Sequence, residues 1–96
     1  MAGEEAKNRR KSFRVDTQMK GQYSLIKRNG LWGQCTVFNF SRGGTGLMFH
    51  THEKINVGSV VHIKVFAPAE PEPIYVKGKL QWIKRRVGGF IGGVKW

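Results

Sequence analysis

Ile74-Tyr75-Val76-Lys77-Gly78-Lys79-Leu80-Gln81-Trp82 is the stretch on which the fold turns. Its even positions, Ile74, Val76, Gly78, Leu80 and Trp82, are apolar or small. Its odd positions, Tyr75, Lys77, Lys79 and Gln81, are mostly polar. Successive side chains of a strand point to opposite faces, so the segment reads as a half-buried strand with its even residues inward. The same period of two sets Val61, Ile63 and Val65 against His62 and Lys64, and lines up Phe90, Gly92, Val94 and Trp96. Weaker alternation turns Tyr23 and Leu25, Cys35 and Val37, and Leu47 and Phe49 inward. Six short strands are expected, at about 20–26, 32–40, 46–51, 59–66, 74–83 and 88–96.

The punctuation between these runs agrees. Arg28-Asn29-Gly30 is a hairpin turn signal, since Asn and Gly both tolerate positive φ, and Val57-Gly58 marks a second turn. Pro68-Ala69-Glu70-Pro71-Glu72-Pro73 cannot join a ladder, because proline lacks the N–H, and reads as a stiff surface loop. No 3.6-residue apolar stripe runs for ten residues. Six alternating strands without a helix predict an all-β fold, a small six-stranded antiparallel barrel that hides its edges.

Composition narrows the class. The chain has 96 residues, 40% hydrophobic and 11% aromatic, enough for one packed core. Seventeen Lys and Arg against six Asp and Glu leave a net charge of +11, which suits an anionic partner. The single cysteine, Cys35, excludes an internal disulfide and a CxxC zinc site, and on an inward position reads as a small buried hydrophobe. No apolar run reaches the roughly 20 residues of a membrane span, and the N-terminus lacks the apolar core of a signal peptide. The expected location is cytoplasmic. The six acids are scattered, with no carboxylate pair set for acid–base work and no nucleophile beside a histidine base, so an enzyme is not expected. His50 and His52 lack a third ligand at sensible spacing, so neither metal nor cofactor is expected.

Two segments break the strand logic. Arg9-Arg10-Lys11-Ser12-Phe13-Arg14 is a dense basic cluster before the first strand. Asn39-Phe40-Ser41-Arg42-Gly43-Gly44-Thr45-Gly46 runs an apolar strand into a polar, glycine-dense turn, where left-handed glycines and exposed N–H groups suit an anion-binding nest. Either alone is ordinary: basic arms are commonly solvated tails, and Asn, Ser and Gly are common turn residues.

Together and in order, Arg10-x-x-x-Arg14 and Asn39-x-Ser41-x-x-Gly44 resemble the two-part signature of the PilZ family, and Gly43-Gly44-Thr45-Gly46-Leu47 resembles its continuation into the next strand. The resemblance covers essentially the whole chain, with the specific motifs in residues 10–44. It implies a six-stranded barrel of about this length that binds the bacterial second messenger cyclic di-GMP, with residues 1–8 a flexible arm and 9–96 a single PilZ-like domain. The sequence ends on a predicted strand, without the C-terminal helix that similar domains often add, and so reads as a minimal version or a piece of a longer protein.

The chemistry fits that ligand. Cyclic di-GMP presents two phosphates and two guanines, whose N7 and O6 match the planar fork of arginine. The resemblance implies that Arg10 and Arg14 take Hoogsteen edges and phosphates, that Ser41 offers its hydroxyl, and that Gly44 gives backbone access. Asn39 is expected to accept from guanine N–H groups through its amide oxygen, its NH2 holding the turn. Asn39 stands where some relatives carry Asp. In similar proteins an arginine just before the first motif arginine goes with a stacked ligand pair, so Arg9 implies two molecules of cyclic di-GMP per domain. The expected partners are cyclic di-GMP and an unidentified protein that receives the output. The competing reading is an OB- or cold-shock-like barrel binding single-stranded nucleic acid. It is disfavoured because the outward face of 75–81 offers only Tyr75 as a stacking aromatic among Lys and Gln.

Overall fold

Alternation becomes burial along the long strands, except past irregularities in two of them. The computed structural model describes residues 14–15, 18–25 and 31–96. These form β1 (Arg14–Val15), β2 (Met19–Leu25), β3 (Gly33–Ser41), β4 (Gly44–Phe49), β5 (Val60–Phe66), β6 (Ile74–Arg86) and β7 (Gly89–Lys95). All pairings are antiparallel, in the order β1-β3-β2-β5-β6-β7-β4, and a further β3–β4 pairing closes the six long strands into a barrel. β1 is an addition to the six expected strands. It lies on the same edge of β3 as β2 does, with Arg14 opposite Ser41 and Val15 opposite Phe40. The Arg28-Asn29-Gly30 turn falls outside the described residues, although the antiparallel β2–β3 pairing it was expected to join is formed.

The inward residues are those of the alternation. Val37, Leu47, Phe49, Val61, Val65 and Leu80 are fully buried, joined by Ile63, Cys35, Tyr23, Phe90 and Val94. Each large apolar side chain removed from water in this way contributes about 1.5–3 kcal/mol before the entropy of ordering is counted. The edge of one ring meets the face of the other between Tyr23 and Phe49, centroids 4.9 Å apart. The loop between β4 and β5 adds Ile55, which is buried in the same cluster. Burial pushes the Cys35 thiol up from 9.0 to about 12, the behaviour of an inert core residue. At Val57-Gly58 the expected turn forms, Gly58 taking φ +93°. Glu70 N donates to Ala67 O at the start of the proline loop. No helix among the described residues is long and apolar enough to cross a membrane.

Two β-bulges interrupt the period, and both change side-chain directions. In β3 the register slips between Val37 and Asn39, leaving Phe38 without an opposite residue on β4. Phe40 thereby packs against the core, and Asn39 turns to the surface. In β6 the register slips between Leu80 and Trp82, leaving Gln81 unpaired with β7. Ile83 then takes the inward place, and Trp82 stands 49% exposed. The expectation of an inward Trp82 is thus corrected, because an unbroken period of two assumes no inserted residue. Trp96 is also corrected: it lies past the end of β7, 37% exposed rather than in the core.

Candidate functional site

The two bulges aim their residues at one place. Asn39, Thr45 and Gly46 from β3 and β4, Gln81 and Trp82 from β6, and Gly93, Val94 and Lys95 from β7 line an open cleft of about 410 Å³. Trp82 lies so close across Gly93 that a Cβ there would collide with the indole nitrogen, which explains a glycine opposite the tryptophan.

Asn39 is fixed by the bulge that exposes it. Its Oδ1 accepts from Gly46 N at 2.9 Å, a side-chain acceptor satisfying a backbone donor where the ladder is irregular. Thr45 Oγ1 donates to the Asn39 carbonyl, a second tie across the same step. The turn-holding part expected of the NH2 group falls to the amide oxygen, which keeps a second lone pair. The NH2 group can donate to an acceptor such as a phosphate or the N7 and O6 of a guanine.

Ser41 donates its hydroxyl to Gly44 O at 3.1 Å, so its oxygen retains acceptor capacity toward an incoming donor. Neither Gly43 nor Gly44 takes the left-handed conformation that a Gly-Gly pair permits. Gly44 is glycine for want of space: a Cβ would lie 2.5 Å from Val94 O on β7. Gly43, by contrast, has nothing within 4 Å of a Cβ.

Trp96 is the part of this region that sequence reasoning missed. Its indole Nε1–H donates to Arg42 O at 2.7 Å, its backbone N donates to Gly43 O at 3.1 Å, and its ring tilts against Phe40 with centroids 5.5 Å apart. The Arg42-Gly43 bend is thereby clamped to the end of β7. The missed signal was a tryptophan just beyond a strand, where an amphipathic ring can hold a turn as well as fill a core.

Of the arginines, Arg14 lies directly opposite Ser41 in the β1–β3 ladder. A residue of the basic cluster before the first expected strand therefore sits at the motif turn by backbone pairing. Arg9 and Arg10 lie outside the described residues, as does the expected flexible segment 1–8. At the far end of the barrel, His50 Nε2 shares a 2.8 Å hydrogen bond with Thr36 Oγ1. Among the described residues no three His, Cys, Asp or Glu side chains converge as a metal site would require.

Residues 8–96 match the family described as the PilZ domain. No curated protein matches the chain. Among solved structures it is similar to the inhibitor of motility (MotI/DgrA) of Bacillus subtilis, at 14% identity and a TM-score of 0.65. The likeness covers 91% of this chain and 42% of that one, so this chain spans about two fifths of that protein. It is also similar to the PilZ domain with c-di-GMP of YcgR from Escherichia coli, at 17% identity and a TM-score of 0.61, over 91% of this chain and 75% of that one.

Proposed function

This chain belongs to the PilZ domain family, and on that premise we propose that it is a receptor for cyclic di-GMP. It is a non-catalytic binding domain, as its family is. The observation that carries the reading is the β1–β3 register: Arg14 opposite Ser41 brings the end of the arginine motif to the Asn39–Gly44 turn. Four residues of extended chain reach at most about 14 Å, so Arg10 can also address a ligand at that turn.

Each group then has a task suited to its chemistry. Arg10 and Arg14 take the phosphates and the Hoogsteen edges of guanine as bidentate forks. The Asn39 NH2 and the Ser41 hydroxyl meet the other side of the ligand, and Gly44 leaves the backbone approachable. The half-exposed Trp82 indole beside Asn39 supplies a face on which a guanine stacks. Arg9 adds a cation for a second, intercalated ligand, giving two per domain.

The switch follows from charge. Lys7, Arg9, Arg10 and Lys11, which precede the paired Arg14, repel one another until an anion lies among them, so the ligand favours closure of that stretch over the turn. The closed arm changes the surface seen by a protein partner in the cytoplasm, and the excess of base favours an acidic partner face.

Titration calorimetry with cyclic di-GMP at two salt concentrations, with GTP as control, tests the reading. Two ligands per chain are expected. Arg10→Ala and Arg14→Ala are each expected to weaken binding by about 2–4 kcal/mol, roughly 30- to 1,000-fold. Arg9→Ala is expected to lower the stoichiometry to one before it abolishes binding. Absence of heat with cyclic di-GMP, or equal heat with GTP, would refute the proposal.

A further inference from the structure

On the flank away from the Asn39 cleft, aromatics and lysines interleave on one sheet face. The outward residues of β5 include His62, Lys64 and Phe66, and those of β6 before its bulge include Tyr75, Lys77 and Lys79. Lys20 of β2 lies opposite Phe66, and Lys64 lies opposite Tyr75. Trp32, just before β3, joins them: the Lys64 Nζ stands 4.3 Å from its ring centre and 5.9 Å from that of Tyr75. Lys64 therefore bridges two rings that are 37% and 65% exposed, and Phe66, 41% exposed, follows on the same side of the strand. The sequence suggested a single aromatic here. Trp32 and Phe66 reach the face only because the barrel sets β2, β5 and β6 side by side.

We propose that this flank is a binding surface for single-stranded nucleic acid, separate from the cyclic di-GMP site. Three features select that ligand. Trp32, Phe66 and Tyr75 offer π-faces, which stack on any base without regard to sequence. Lys20, Lys64, Lys77 and Lys79 surround them with mobile point charges suited to phosphates. None of the seven strands contains Asp or Glu, so no strand residue of the face repels a phosphate backbone, and Glu70 and Glu72 stand at its end, in the loop between β5 and β6. An acidic polypeptide would answer the lysines but leave the rings without a stacking partner.

The site stands apart from the motif. Asn39 and Trp82 meet over β4 and β7, whereas this face centres on β2 and β5, with Lys79, opposite the cleft residue Lys95, as its nearest approach to the motif. The two ligands are therefore expected to bind without competing.

The test is fluorescence anisotropy of a labelled 15-residue oligothymidylate titrated with the whole chain, with thermal unfolding of each variant as a folding control. Tyr75→Ala, exposed enough to leave the fold intact, is expected to weaken binding at least fivefold, as is Trp32→Ala. Lys84→Ala/Arg85→Ala/Arg86→Ala, at the opposite end of β6, is expected to stay within twofold. Four neutralised phosphates predict a slope of about −3 for log affinity against log salt. Saturating cyclic di-GMP is expected to leave the oligonucleotide bound, and Arg14→Ala, which tests the other site, to retain it. The proposal is overturned if Tyr75→Ala and Trp32→Ala bind like the unmodified chain, or if cyclic di-GMP displaces the oligonucleotide. It is equally overturned if polyglutamate of matched charge displaces the oligonucleotide at similar concentration, which would assign the face to acidic proteins.

Discussion

Replacing Asn39 separates the two jobs that the structure gives its amide. In Asn39→Ala, Gly46 N loses the Oδ1 acceptor that it holds at 2.9 Å beside the β3 bulge. A lost hydrogen bond of this kind costs about 0.5–1.5 kcal/mol, and a donor left partly desolvated adds to that. Gly46 is only half-buried, so water recovers part of the loss, and a total of about 1–2 kcal/mol is expected. For a domain of this size that lowers Tm by roughly 5–15 °C. Asn39→Asp keeps the acceptor and gives it a charge, which strengthens the bond to Gly46 N, so its Tm is expected to equal or exceed that of the unmodified chain. The same variant removes the NH2 donors that the account assigns to the ligand, so stability and affinity for cyclic di-GMP are expected to move separately. Thermal and urea unfolding of the three proteins, with calorimetric titration beside them, reads both quantities. An Asn39→Ala variant with unchanged Tm and urea midpoint would refute the bridging role of the side chain.

Trp96→Phe keeps a ring beside Phe40 but removes the indole donor to Arg42 O, and is expected to cost about 0.5–1.5 kcal/mol in urea unfolding and to weaken cyclic di-GMP binding by loosening the bend. Gly44→Val drives a side chain into Val94 O and is expected to cost about 1–3 kcal/mol, whereas Gly43→Ala, with open space and no positive φ, is expected to stay within about 0.5 kcal/mol. Cys35 gives a pH dependence: its folded pKa is raised from 9.0 to about 12, so its contribution to stability is full below pH 9 and is lost as pH rises toward 12. Urea midpoints measured from pH 8 to pH 11 are expected to fall more for the unmodified chain than for Cys35→Ala.

Much of the barrel was legible because a closed sheet with one buried face imposes alternation. Val61, Ile63 and Val65, set against His62 and Lys64, show it most plainly. The site was legible as a motif but not as a geometry. Period-two reasoning fails at Phe38 and Gln81, where one inserted residue turns Asn39 and Trp82 outward, and an insertion of this kind leaves no mark in the local pattern. At Gly44 the sequence permits either a left-handed turn or a close backbone approach, because small size does not say whether φ or space demands it. The structure answers with the Val94 carbonyl. Trp96 and Trp32 escaped for a related reason, since each acts through a strand distant in sequence, Trp96 on the Arg42 bend and Trp32 beneath Lys64.

The three tryptophans provide the most direct test of the central claim, because Trp82 and Trp96 flank the motif turn and Trp32 lies on the other side of the barrel. In a ¹⁵N-edited NMR titration with cyclic di-GMP, the Trp82 and Trp96 indole signals and the Asn39 side-chain NH2 are expected to shift together, with that of Trp32 unmoved. Saturation that leaves Trp82 and Asn39 in place while Trp32 moves would contradict the account.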